Sequence, residues 1–306
     1  MKITGTFLDE ISHDIPSSNW GPEEWAADFD AMKADGIDTV IVIRAGYRER
    51  STFESRVLKK HFRMRPCYRD LIDLFLTLAE ERGMTFFFGT YDSGRFWLEG
   101  QPEKEVEINI EFCDEFMQRY GHRKAFGGWY ISHEIVTFDE TAVRVYERLA
   151  VHLRGLKKLP ILISPYMRGN KAYPKDYLDP ADHEKSWRPV FARIQGLVDI
   201  VAFQDGHVDF DLLPDYLAAN ARLARQHGLA CWSNVESFER GMAMNFLAIG
   251  WPNLRCKIEA AAAAGVEKLI TFEYSHFMSP NSIYDNARNL SRRYRQYLRQ
   301  DGLIGR

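Results

Sequence analysis

The sequence predicts a single (β/α)8 barrel, and three observations support this prediction. Eight short apolar, β-branched or aromatic runs alternate with amphipathic stretches, at a period of about 30 to 47 residues that matches one strand and one helix. The runs are too continuously apolar for a half-exposed sheet, so we expect parallel strands covered on both faces. At least four runs end in an acidic residue. Because the carboxyl ends of barrel strands form one face, these acids predict a shared pocket.

The eight strands are predicted at residues 2–8, 38–43, 85–90, 125–131, 160–165, 199–204, 229–235 and 267–273. Helices are expected between them, as in the stretch with Pro22 near its start and Gly36 after its end, the usual asymmetry of helix termini. Several other stretches also close on a glycine at the C′ position. With 306 residues and 45% hydrophobic content, the chain suits one barrel domain over residues 1–306.

The composition narrows the range of partners. Forty basic and forty-three acidic side chains give a formal charge of -3 without a clustered basic patch, so a nucleic acid is not expected as a partner. No apolar run reaches the length of a membrane span, and the N-terminus enters a predicted strand without a leader. Four scattered cysteines without C-x-x-C spacing then predict reduced, mostly buried thiols in a cytoplasmic protein. The oligomeric state is left open.

Two predicted connections are longer than the usual βα loop, and such loops commonly carry function. The first spans residues 45–67 and is rich in basic residues. It is either a solvated surface or a lid over the pocket. The second spans residues 166–185 and is rich in Pro, Gly and Tyr.

The strongest catalytic candidates are the acids that end the fourth and seventh strands, Glu134 and Glu236. A retaining glycosidase needs two carboxyls about 5 to 5.5 Å apart, one to protonate the leaving oxygen and one to attack the anomeric carbon. Glu134 is expected to be the acid/base, because the preceding Gly-Trp-Tyr strand should be apolar and desolvation favours a protonated carboxyl. Glu236 is expected to be the nucleophile, with Asn234 on its strand face and Arg44 or Tyr274 keeping it ionised.

Further polar residues at strand ends are candidates for substrate binding, and each also has a structural interpretation. Arg44 is a counter-charge for a neighbouring glutamate, and Asp205 with Gln204 lines the pocket or forms an Asx-type turn. Glu273 either binds sugar or is a buried acid whose hydrogen-bond partners all lie within the protein. The remaining polar candidates are His133, which orients Glu134 or is structural, and Asp9 and Glu10, which bind sugar hydroxyls or form a turn.

Aromatic rings at a pocket mouth can stack on the C–H faces of sugars. Core packing is the expected fate of at least half of the aromatic residues near strand ends, because aromatics dominate buried cores. The candidates for stacking are Tyr91, Tyr130, Tyr166, Trp232 and Tyr274.

At the level of fold and strand-end acids, the chain resembles the large retaining glycosidase clan built on this barrel, although that clan commonly has Asn where this chain has His133. A closer resemblance covers most of the chain. The segments GTFLDE, WGPEEW, GIDTVIVIRAGY, GGWYISHEI, VAFQDG, NVESF and FEYSHFMSP, in this order, resemble the glycoside-hydrolase-like TIM-barrel family DUF4434. The resemblance implies a TIM barrel that acts on carbohydrate and gives no substrate.

Three functions are therefore considered. The leading one is a glycoside hydrolase without metal or cofactor. The second is a sugar isomerase or epimerase in which Glu134, Asp205, Glu236 and Glu273 bind Mn²⁺ or Mg²⁺ through oxygen. It is disfavoured because such sites usually include a histidine ligand, and His133 should point away from Glu134. The third is a catalytically silent carbohydrate-binding barrel.

Overall fold

Eight parallel strands close into a barrel in which each strand lies beside its neighbours in the sequence, as the computed structural model shows. The structure describes residues 1–12, 18–67, 69–240 and 247–304. Each strand lies within the range predicted for it, so the predicted (β/α)8 fold is confirmed. The strands are β1 (Ile3–Leu8), β2 (Thr39–Val42), β3 (Thr85–Gly89), β4 (Phe126–Tyr130), β5 (Ile161–Ile163), β6 (Ile200–Gln204), β7 (Ala230–Asn234) and β8 (Lys268–Thr271).

The helices surround this barrel, and their ends follow local chemistry. Asp70, Asp139 and Asp179 each accept a backbone N–H in the first turn of the helix that they precede, which satisfies one of the unpaired donors there. The helices in the described part are α1 (Pro22–Ala34), α2 (Arg56–His61), α3 (Leu71–Arg82), α4 (Pro102–Tyr120), α5 (Glu140–Leu156), α6 (Pro180–Ile194), α7 (Leu213–Gln226), α8 (Trp251–Ala264), α9 (Tyr274–Phe277) and α10 (Asp285–Gln300).

The apolar core has two layers, because successive strand side chains point to opposite faces. The outer layer lies between strands and helices, and its fully buried members include Trp25, Trp129 and Trp187. The inner layer fills the barrel and includes Phe7, Ile41, Phe87, Leu162, Ala202, Phe238, Ile270 and Phe272. The barrel is therefore a packed core, and a ligand can reach it only at an end.

The two long connections have defined structure. Within residues 45–67, Gly46–Tyr47 pairs with Arg50–Ser51 and with Tyr91–Asp92 in a three-stranded sheet, and α2 follows. Within residues 166–185, Tyr166 bridges to Gln204 beside the barrel, and the segment ends in the first turns of α6. The second connection therefore carries a side chain directly to the carboxyl end of β6.

Two predictions from composition can be compared with the structure. All four cysteines are free thiols, but only Cys113 and Cys231 are buried, whereas Cys67 is partly exposed and Cys256 is exposed. Among the described residues, no helix combines the length and apolar character that a membrane crossing requires.

Candidate active site

Glu134 lies just beyond β4 and accepts hydrogen bonds from four side chains. The donors are Arg44 Nη2 and Tyr166 Oη on Oε2, both at 3.0 Å, and Tyr130 Oη at 3.1 Å and Gln204 Nε2 at 3.0 Å on Oε1. Gln204 Nε2 also donates to the Ser164 carbonyl at 2.7 Å, which fixes the orientation of its amide. Donors on both oxygens favour the ionised carboxylate.

The groups that donate hydrogen bonds to Glu134 keep their protons. Burial, followed by the charge of Glu134, raises the pKa of Tyr130 and of Tyr166 well above the usual range, so both hydroxyls keep their protons. Burial alone would lower the pKa of Arg44, but the charges of Glu134 and Asp92 raise it above its ordinary value. The expectation that Arg44 is the counter-charge of a glutamate at this face is confirmed. The Gly-Trp-Tyr strand before Glu134 is largely buried, as expected, but polar and charged groups surround the carboxylate itself.

Glu236, just beyond β7, is buried beneath Arg240. Arg240 donates from Nε to Oε2 at 2.8 Å and from Nη2 to Oε1 at 2.6 Å. Burial alone would raise the pKa of Glu236, but the charge and hydrogen bonds of Arg240 lower it below its ordinary value. Asn234 and Arg44, which were expected to keep Glu236 ionised, have other partners, and Arg240 has that role.

A cavity of about 110 Å³ lies beside Glu134 at the carboxyl end of the barrel. Glu236, which was also expected to open into it, is not one of its lining residues. Glu134, Tyr166 and Arg240 form its polar part, and Arg240 separates the cavity from Glu236. The guanidinium of Arg240 lies 4.8 Å from the ring centre of Phe238 and 5.9 Å from that of Tyr166. The other lining residues are Ile43, Gln204, Phe238 and Phe272.

The expectation that Asp205 opens into this cavity is not met. Its side chain is buried, accepts a hydrogen bond from Lys257 Nζ at 2.8 Å, and accepts the backbone N–H of Glu236 at 3.0 Å. Burial raises the pKa of Asp205, and Lys257 opposes this shift. Asp205 therefore positions the backbone of Glu236 through this hydrogen bond.

Glu273 and Tyr274 also differ from the expectation of direct substrate contact. The carboxylate of Glu273 accepts the N–H groups of Ser275 and His276 at the start of α9, and His276 Nδ1 lies 2.6 Å from it. Glu273 is thus the buried structural acid that was one of its two interpretations. Tyr274 belongs to the outer core layer, where its hydroxyl donates to Asp35.

Three other candidates lie away from the cavity. Trp232 points into the barrel near its amino-terminal end, beside Phe87 and with Lys268 Nζ 5.1 Å from its ring. Asn234 donates to Ser164 Oγ and accepts the N–H of Phe272, so it joins neighbouring strand ends. Tyr91 is buried in the outer core layer, and its hydroxyl donates to the Arg48 carbonyl. Asn234 and Trp232 share a strand face with Glu236 in sequence, but the chain leaves β7 before Glu236.

The two acids after β1 have local partners. Asp9 Oδ1 accepts the N–H groups of Ile11 at 3.2 Å and Ser12 at 3.0 Å, which is the turn expected as one of its two roles. Glu10 Oε2 accepts the N–H of Ser18 at 3.2 Å. Glu10 also lines a separate cavity of about 260 Å³ beside Arg50.

His133 points away from Glu134, as alternation along the chain predicts, and contacts α4. Its Nε2 lies 2.9 Å from Glu105 Oε1, and it lies near Asp92. In the described part of the chain, these three buried residues are the single group of histidine, cysteine and acidic side chains close enough to share a metal ion. Their carboxylates already accept hydrogen bonds: Ser93 donates to Glu105, and Gly94 and Trp97 donate to Asp92. The donor set therefore fits a hydrogen-bonded network better than a metal centre.

Sequence reasoning missed three residues that shape the site. Arg240 comes directly after the short strand Phe238–Glu239, which pairs with Leu247–Ala248. Lys257 projects from α8, and Asp92 pairs with Arg44 at 3.4 Å. The one available signal was the spacing of Arg240 four residues after Glu236. That spacing identifies a pair only when the path of the chain between them is known.

The chain is similar to a known protein family and to known structures. The sequence profile of the family described as "Domain of unknown function (DUF4434)" matches residues 3–284. A crystal structure from Bacteroides thetaiotaomicron, of a candidate alpha-L-fucosidase, is similar to this chain with 46% sequence identity and a TM-score of 0.94. The similarity covers 97% of this chain and 95% of that protein.

More distant structures share the barrel fold. An endo-1,4-beta-D-mannanase from Thermotoga petrophila has 9% identity and a TM-score of 0.60, over 96% of this chain and 99% of that one. A family 5 glycoside hydrolase from Bacteroides vulgatus has 14% identity and a TM-score of 0.57, over 84% of this chain and 55% of that one. Among curated proteins, no sequence matches this chain.

Proposed function

The chain belongs to the DUF4434 family, and from that premise we propose that it is a glycoside hydrolase with Glu134 and Glu236 as its catalytic carboxylates. The observation that carries the proposal is the position of two carboxylates just beyond β4 and β7, at the carboxyl end of a barrel. Glu134 lines the cavity there, and Glu236 is bound by Arg240, which lines the same cavity. The 46% identical protein described as a candidate alpha-L-fucosidase supports the same reaction class.

The contacts of Glu134 favour the role of nucleophile, the opposite of the sequence-based assignment. Its two oxygens accept from Arg44 and Gln204, which can only donate at these positions. A carboxylate in this setting is ionised and lines the cavity, as attack on an anomeric carbon requires. Tyr130 and Tyr166 hold the carboxylate in place.

Glu236 is then the general acid and base. In the first step, its proton passes to the glycosidic oxygen as Glu134 attacks the anomeric carbon and the bond to the leaving group breaks. In the second step, the Glu236 carboxylate takes a proton from the water that releases the sugar from Glu134. The overall reaction adds one water molecule and retains the anomeric configuration.

The cavity offers a mixed surface that suits a sugar. Ile43, Phe238 and Phe272 form an apolar wall for C–H groups or a methyl group, and Gln204 and Tyr166 offer hydrogen-bonding groups. A 6-deoxy sugar such as fucose has both kinds of surface. An aryl α-L-fucoside is therefore one of the substrates to test.

The metal-dependent isomerase is less well supported by the contacts. Each of the four acids proposed as metal ligands already has a partner in the protein, namely Arg44 for Glu134, Lys257 for Asp205, Arg240 for Glu236 and His276 for Glu273. A cation would have to displace these groups.

The test is hydrolysis of a panel of aryl glycosides that includes neutral α-L-fucosides and anionic glycuronides, followed by proton NMR of the first anomer released. We expect turnover with retention, and Glu134→Gln and Glu236→Gln should each lower the rate by about 10²- to 10⁴-fold. Arg255→Gln, on the outer surface of α8, is the control and should keep full activity. Full activity of both glutamine variants would refute the assignment, and sugar binding without product would support a non-catalytic barrel.

A further inference from the structure

Arg240 blocks the carboxylate that the proposed reaction needs as a proton donor. Its guanidinium contacts both oxygens of Glu236, and the side chain of Glu236 is only 1% exposed, whereas that of Arg240 is 29% exposed. While this pair persists, Glu236 is ionised and neither oxygen is free to face a glycosidic bond. Arg240 must therefore leave Glu236 before catalysis.

The other charged groups around Glu236 cannot replace Arg240. Lys257 contacts the Glu236 carbonyl at 3.1 Å, but its charge is paired with Asp205 at 2.8 Å. Burial and the charge of Arg240 lower the pKa of His207 to about 4, so this imidazole is neutral near neutral pH. Tyr166 lies beyond Arg240 and donates to Glu134.

The loss of Arg240 from Glu236 would have a defined consequence. Burial is the largest influence on the pKa of Glu236 and raises it, and Arg240 is the main opposing influence. Without Arg240, Glu236 would therefore take up a proton from solvent, because an unpaired buried carboxylate is costly. Departure of the arginine converts Glu236 from a paired anion into a general acid.

A partner for the departing guanidinium must bring negative charge. A neutral hydroxyl can accept a hydrogen bond, but it leaves Arg240 without a counter-charge, whereas a carboxylate or sulfate matches the two parallel N–H groups of arginine. Arg240 lines the cavity, and the rings of Phe238 and Tyr166 support its guanidinium from the side. Its side chain therefore already lies where a ligand in the cavity would contact it.

We propose that the substrate carries an anionic group, a sugar carboxylate or sulfate, that binds Arg240 and releases Glu236 to act as the proton donor. The inference rests on the proposed function and specifies its substrate class. The charge balances, because one anion and one proton enter the site together. That proton is the one that Glu236 later gives to the glycosidic oxygen.

Isothermal titration calorimetry near neutral pH, in buffers with different ionisation enthalpies, measures the proton uptake directly. The probes are D-glucuronate, inorganic sulfate and neutral L-fucose. The two anions should bind wild-type protein with uptake of about one proton per site, whereas L-fucose should bind without proton uptake. A preference for glucuronate or for sulfate then identifies the anionic group.

Three variants locate the effect. Arg240→Gln should weaken anion binding roughly 10- to 100-fold, the loss expected for charge-assisted hydrogen bonds, and Arg240→Lys should weaken it less. Glu236→Gln should still bind the anions but without proton uptake. Arg255→Gln, which removes an exposed arginine paired with Glu259, should change neither measurement.

The outcomes separate the two proposals. Proton-linked anion binding without hydrolysis of any glycoside would support anion binding at Arg240 and refute the proposed reaction. Efficient hydrolysis of neutral glycosides, with no binding of either anion, would keep the reaction and overturn the inference. Anion binding without proton uptake would also overturn it, because Glu236 would then keep its negative charge.

Discussion

Gly206 leaves open the space that the carboxylate of Glu236 occupies. A Cβ atom built at Gly206 would overlap Oε2 of Glu236 and lie 2.7 Å from Nε of Arg240. The residue directly after Asp205 must therefore lack a side chain if the Glu236–Arg240 pair is to form.

Gly206→Ala should displace the Glu236 carboxylate and lower activity on any verified substrate by about 10²-fold or more, because misplacement of a catalytic group by about 1 Å can have that effect. Overpacking should also reduce the free energy of unfolding by about 1 to 3 kcal/mol. Steady-state kinetics and chemical denaturation measure the two effects. The control is Gly155→Ala, since no atom lies within 4 Å of a Cβ there. Unchanged kinetics for Gly206→Ala would show that Glu236 need not hold this position.

The roles of the two glutamates can be distinguished with azide and an activated aryl glycoside. If Glu134 is the nucleophile, Glu134→Ala should give a glycosyl azide of inverted configuration, because azide takes the place of the lost carboxylate. Glu236→Ala should give the retained configuration, because azide then attacks the sugar bound to Glu134. NMR of the products reads the configuration, and the reverse pattern would restore the roles predicted from sequence.

Hydrolysis should not depend on a divalent metal. The reason is that Glu134, Asp205 and Glu236 each have a cationic side chain as partner, which competes with a metal ion for the same oxygens. We expect activity to survive prolonged chelation with EDTA, and elemental analysis should find far less than one equivalent of Mn, Zn or Mg. Loss of activity on chelation that added Mn²⁺ restores would contradict this expectation and direct attention to His133 and Glu105.

Asp28 on α1 should make stability fall as pH rises. Burial raises the pKa of its carboxyl to about 6, above the value of about 3.9 for an unfolded chain, so the folded state binds the proton more tightly. The contribution of Asp28 to the free energy of unfolding is greatest at low pH. It decreases between about pH 4 and pH 6, by roughly 3 kcal/mol in total. The variant Asp28→Asn should therefore gain stability relative to wild type across this range.

Urea denaturation at several pH values measures this difference. Asp30→Asn, on an exposed position of the same helix, is the control and should follow the wild-type curve. A constant difference between Asp28→Asn and wild type at every pH would mean that Asp28 does not titrate in this window.

The barrel was predictable because its signal is local and repeated. The run TVIVI predicted β2 and TFFFG predicted β3, and both strands lie where the runs indicate. The predicted strand ends differ from the observed ones by at most two residues, because hydrogen bonding to neighbouring strands determines where pairing stops. The position of Glu134 at the carboxyl end of the barrel followed from the end of β4 alone.

The candidate site was only partly predictable, since a strand-end position does not specify where a side chain points. Glu273 turns back to the N–H groups of its own helix, and Asp205 turns towards Lys257 and the Glu236 backbone. Both acids follow a predicted strand, as Glu134 does, but Glu134 faces the cavity. Local hydrogen-bond donors decided between these orientations, because a buried carboxylate must find partners.

The sequence by itself determined the number and order of the strands, their burial on both faces and the face on which the acids lie, because these depend on local periodicity and on the rule that parallel strands share one carboxyl edge. Only the tertiary structure decided which acids meet the cavity and which cations accompany them. Arg44 reaches Glu134 across ninety residues, and Lys257 reaches Asp205 across fifty-two. Such pairings join distant segments that only the closed barrel brings together, and the large cost of leaving a charge unpaired in the interior favours them.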